Sequence, residues 1–193
     1  MSFVNLKFLT RGMGLAQSSA ATETYRTIRR RMPQHHLATY LNDHLAGSAA
    51  ALELLGYLEQ AYTGTPQSSF FAALGAEVAT DRDELKAIMN RLGVPESRPR
   101  KIAGWLTEKI TQLKLLLDDG RGGPLSLLEA IEAVALGIEG KRALWYALAA
   151  AAEVTPRLQG IDYDRLAQRA RDQRCRIELA RLEAARIALV EGR

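Results

Sequence analysis

A chain of 193 residues with a single cysteine, Cys175, can form no internal disulfide, and nothing in it calls for an oxidising compartment. Long apolar runs are missing too: none approaches the roughly 20 residues that cross a bilayer. The start, Met1 to Leu9, is broken by Asn5 and Lys7, so neither a signal peptide nor a membrane contact is expected, and the expected location is cytoplasmic. Stretches of period two and clusters of β-branched residues are scarce, which argues against a sheet. There is no Gly-rich phosphate loop, zinc-ligand spacing or Gly-x-Ser-x-Gly elbow, and Gly120 to Gly123 lacks the Lys-Ser/Thr that would follow in a P-loop.

What is present is apolar and basic. A hydrophobic content of 47% suits one globular domain with a sizeable core. The net charge of +4 is unevenly placed, because residues 1–36 hold Lys7, Arg11, Arg26, Arg29, Arg30 and Arg31 against Glu23 alone, while the remainder is close to neutral. Residues 1–36 therefore read as a basic arm and 37–193 as the folded body. Arg29, Arg30 and Arg31 could rest on phosphates, yet no interleaved aromatics or readout motif accompany them; an arm that is solvated or packs on another subunit is the simpler expectation.

After Pro33 the abundance of Ala and Leu predicts an all-α body of five helices, at about 37–62, 67–92, 98–118, 126–152 and 162–190. Pro66 opens the second, and Gly93 and Pro95 close it. The loop from Asp118 to Pro124 is a clear break, and Ser126 to Glu129 has the capping-box pattern that predicts the start of the fourth helix. Helices of this length measure about 37 Å, the scale of a four-helix bundle.

Three apolar stripes are each interrupted once. Asp81 lies in the series Phe71, Leu74, Val78, Asp81, Leu85, Ile88, Leu92; Lys141 in Leu127, Ile131, Val134, Ile138, Lys141, Trp145, Leu148; and Gln173 in Leu166, Ala170, Gln173, Ile177, Ala180, Ala184, Ile187. A buried carboxylate needs a partner, so these three residues are expected to form one polar cluster within the bundle. Cys175 is flanked by Arg174 and Arg176, which could lower its pKa, but a helical cysteine packed at least partly inside is the plainer reading. Trp105 and Trp145 are expected as core or interface anchors.

Helix count, helix lengths and the long connection, together with the segments Tyr40–Gly47 and Gly137–Trp145, resemble bacterial members of the ferritin-like superfamily over about residues 37–190. The resemblance implies two helical hairpins joined by a crossover helix between core helices two and three. It also implies a di-metal site, but the Glu-x-x-His motif of that superfamily occurs nowhere in this chain, and His44 is the only histidine on a core helix. A degenerate metal site is therefore expected, and with it a non-catalytic protein without cofactor that forms a homodimer through surplus apolar surface. The alternative is a redox or metal-storage protein holding iron or manganese with Asp81, Glu77, Glu84, His44 and Glu139; a third reading is a stress-related binder of anionic polymers.

Overall fold

The computed structural model describes the backbone of residues 19–97 and 123–191, with Glu108, Thr111, Gln112 and Leu115 between them, and the side chains from His35 onward. Among the described residues the chain is all-helical. Four long helices are α1 (Ser19–Ala61), α2 (Pro66–Leu92), α3 (Gly123–Ala152) and α4 (Tyr163–Arg186). A short 3-10 turn, Pro156–Leu158, precedes α4, and a π-helical turn, Ile187–Glu191, follows it. The chain divides into two compact units, Met1–His36 and Leu37–Arg193. The second unit holds the core and everything discussed below.

Local chemistry sets the helix ends. Thr65 caps α2 by accepting the Ser68 N–H at 3.4 Å, and Pro66 occupies the first turn, where its missing N–H costs nothing. Gly93 ends the helix with φ +69°, a left-handed value that favours glycine, and the Val94 N–H reaches back to the Met89 carbonyl at 2.9 Å. Asp162 caps α4 by accepting the Arg165 N–H at 2.9 Å.

Two expected starts are corrected. α1 does not begin at 37: the helix runs back to Ser19 and takes in Pro33, which cannot donate the backbone hydrogen bond of its turn and which reads from the sequence as a boundary. α3 begins at Gly123 and not at Ser126, because Pro124 fits a first turn; Ser126 lies inside the helix and is buried. The helix expected at 98–118 falls largely outside the described residues.

The apolar side chains form two clusters, one above the other. The first joins Leu54, Leu55 and Leu58 of α1, Phe71, Leu74 and Val78 of α2, Leu128 to Ile138 of α3, and Ile177 and Ala184 of α4. The second joins Leu41 and Leu45 of α1, Leu85, Ile88 and Met89 of α2, Leu144, Trp145 and Leu148 of α3, and Tyr163, Leu166 and Ala170 of α4. The order in which each helix visits the clusters fixes its direction. α1 and α4 run from the second cluster to the first, whereas α2 and α3 run from the first to the second. α2 and α3 are thus parallel.

Side chains hold the ends of this arrangement. Asn42, buried on α1, donates to the Pro95 carbonyl at 3.2 Å and accepts the Ser97 N–H at 2.6 Å, pinning the chain where it leaves α2. The buried Tyr163 hydroxyl donates to the Leu158 carbonyl at 3.0 Å and ties the 3-10 turn to α4.

Candidate functional site: an ion lattice between two apolar layers

Asp81, Lys141 and Gln173 lie between the two apolar clusters, each at the point where its helix passes from one to the other. Asp81 is 2% exposed and Gln173 fully buried. The Lys141 ammonium donates to Asp81 Oδ2 and to Gln173 Oε1. Gln173 Nε2 donates in turn to Asp81 Oδ2 at 3.0 Å and to Glu77 Oε2 at 3.2 Å. An amide suits this position because one end must accept and the other donate; neither a carboxylate nor an ammonium could do both.

The other oxygen of Asp81 belongs to a residue that periodicity does not flag. Arg169 of α4 donates through Nε to Asp81 Oδ1 at 2.6 Å, and its Nη2 contacts the same oxygen. Arg176 donates to Glu77 at 2.5 Å and Arg165 to Glu84 at 2.9 Å. Glu77, Asp81 and Glu84 on α2 thus face Arg176, Arg169 and Arg165 on α4 in reverse order, as antiparallel neighbours require. The acidic triplet steps by four and three residues and the basic one by four and seven, with Gln173 at the intermediate position, each along one helix face. In the sequence Arg165, Arg169, Gln173 and Arg176 form a row of helical spacing, but nothing local pairs that row with α2.

The electrostatics follow from the packing. Burial pushes the Lys141 pKa below its usual value, and Asp81 opposes that shift. The hydrogen bond from Arg176, with help from Gln173, holds the Glu77 carboxyl below the usual range against its burial. Counting the pairs, three carboxylates meet four cations, so the lattice as a whole carries a positive charge.

The five residues expected as metal ligands are not gathered. Asp81, Glu77 and Glu84 are committed to Lys141, Arg169, Arg176 and Arg165. Glu139 sits on α3 and binds Arg142 one turn on, Nε to Oε2 at 3.0 Å, in a half-exposed pair that lowers its pKa. His44 packs edge-on against Tyr40, ring centroids 4.6 Å apart, and burial lowers its pKa despite the nearby Asp43. Among the described residues no group of three or more His, Cys, Asp or Glu side chains is placed to hold a metal ion. The physical reason is that the arginines of α4 reach the carboxylates of α2 first.

Other expectations resolve individually. Cys175 is exposed, not packed inside, and its neighbours Arg174 and Arg176 are engaged with Glu178 and Glu77. Trp145 is fully buried in the second cluster. Trp105 and the side chains of Arg29, Arg30 and Arg31 lie outside the described residues. Among the described residues no helix is long and apolar enough to cross a membrane. Protein-family models, curated proteins and solved structures give no match to this chain.

Proposed function

We propose that this chain is a non-catalytic helical protein with ferritin-like topology, in which an ion lattice occupies the bundle centre where a metal protein would carry its ligands. The observation that carries this reading is the pairing of Asp81, Glu77 and Glu84 with cations from α3 and α4. A carboxylate held by an arginine would have to give it up to bind a metal, and a positively charged lattice repels a dication. The parallel course of α2 and α3 supports the ferritin-like part. It is what a crossover between two antiparallel hairpins requires.

The same proposal includes a homodimer. Leu136 on α3 and Leu179 on α4 are 73% and 71% exposed, large apolar side chains that water does not favour. Sedimentation across micromolar concentrations tests it: a mass of one chain throughout refutes the dimer. Elemental analysis of protein purified without chelators tests the rest. Substoichiometric metal, unchanged after incubation with iron or manganese, is the expected result. One or two metal ions per chain, lost in Glu77→Gln and Glu84→Gln variants, would overturn the reading in favour of metal storage or redox chemistry.

A further inference from the structure

α4 carries two rows of side chains back to back. The row from Leu166 to Ala184 is buried in the bundle. Opposite it, Gln168, Asp172, Cys175, Leu179, Leu182 and Arg186 are all exposed and follow one another by four, three, four, three and four residues. That alternation has the 3.5-residue repeat with which one helix presents a continuous seam to another. Its middle is apolar: Leu179 is 71% exposed and Leu182 48%. Leu189, in the π-helical turn that follows, is 70% exposed. One row is enough to hold a helix in its bundle, so the bundle does not account for the second.

The borders of the seam are electrically closed. On the α2 side Arg176 is paired with Glu77; on the α3 side Glu178 is held by Arg174 and Arg181, and Arg181 also lies 3.4 Å from Glu132. Within the seam, two charges of opposite sign flank the leucines, Asp172 seven residues before Leu179 and Arg186 four after Leu182. Asp172 accepts from Gln168 at 2.8 Å, and Arg186 donates to Glu183 at 2.7 Å. Neither contact exhausts its group, since a carboxylate offers about four acceptor sites and a guanidinium five N–H donors.

We infer that this seam is the interface with a second copy of the chain, the two α4 helices packing antiparallel about a twofold axis. The inference rests on the homodimer proposed above and gives it a face and a direction. A twofold interface uses the same patch on both copies, so the patch must complement itself. With the helices parallel, Asp172 would meet Asp172 and Arg186 would meet Arg186, two repulsions between like charges. Run antiparallel, with Leu179 of each copy against Leu182 of the other, the seam places Arg186 opposite Cys175 across the axis. Asp172 is then three residues further on, about 4.5 Å along the helix, within the span of an arginine side chain. Two Asp172–Arg186 ion pairs thus bracket a centre of four leucines, and charges in this position set the direction of a helix pair more than its strength.

Sedimentation of the full-length chain between about 1 and 100 μM tests the face. Leu179→Lys and Leu182→Lys, at exposed positions that leave the core untouched, should each weaken the dimer at least about tenfold. Val154→Lys, beyond the end of α3 and 84% exposed in the wild type, should leave it unchanged. Asp172→Arg and Arg186→Asp should each weaken association at least about threefold, and the two together should restore it to within about twofold of the wild type. Helical circular dichroism of each variant separates lost association from lost folding. A single-chain mass for the wild type at all these concentrations overturns the dimer and the inference together. A wild-type dimer that persists in Leu179→Lys and Leu182→Lys overturns the inference alone and moves the dimer to another face. Single reversals without effect, or a double reversal that associates no more tightly than the singles, overturn the antiparallel arrangement.

Discussion

Changing Asp81 to asparagine removes one negative charge at almost constant volume and puts an amide NH2 where one oxygen accepted. The Asp81 side chain is 1% exposed, and those of Lys141 and Arg169 are 13% and 23% exposed. In the variant Lys141 loses the carboxylate it is paired with, and Arg169 keeps only the 4.0 Å contact with Glu84. Orphaning one partner of a buried pair costs about 3–5 kcal/mol. Because both cations keep an edge on solvent and can swing toward it, the lower end applies, about 3 kcal/mol against a total stability of about 5–15 kcal/mol. For a chain of this length that corresponds to a fall in Tm of about 6–12 °C. Urea unfolding at pH 7 measures it directly, as a lower midpoint with an unchanged slope. Adding Lys141→Met then decides the mechanism. In the wild type the change removes a partner of Asp81 and should destabilise; in the Asp81→Asn background it removes an uncompensated cation and should be neutral or stabilising. A loss under about 1 kcal/mol for Asp81→Asn, or strictly additive losses in the double variant, would refute the reasoning.

Asn42→Ala should cost about 1–3 kcal/mol, because it leaves the Ser97 N–H and the Pro95 carbonyl without their partner, and hydrogen exchange at Ser97 should accelerate. Asp162→Ala removes the α4 cap and should cost about 1 kcal/mol in chemical unfolding, with serine at the same position restoring most of it. His44 titrates lower in the folded chain than in the unfolded one, chiefly through burial, so the unfolded state binds the proton more readily. Its contribution is complete above the unfolded value of 6.5 and is lost as the pH falls through the folded value; Tm measured from pH 7 down to pH 5 should therefore decline more steeply in the wild type than in His44→Gln.

The helical character of the chain, the span of α2 and the cap of α4 are legible because they are written in local chemistry: Pro66 and Gly93 bound one helix, and Asp162 starts another. Asp81, Lys141 and Gln173 stand out for a related reason, since each breaks an apolar stripe whose period is known in advance. Arg169 does not stand out because it lies beside its stripe and not within it, where an arginine looks like any solvated residue. Only the antiparallel contact of α2 and α4, a tertiary fact, turns Arg165, Arg169 and Arg176 into the complement of Glu84, Asp81 and Glu77. For the same reason the carboxylate row of α2 reads as a metal-ligand set until its partners are seen. Ser126 misleads differently: the capping-box pattern is present, but Pro124 has already started the helix upstream.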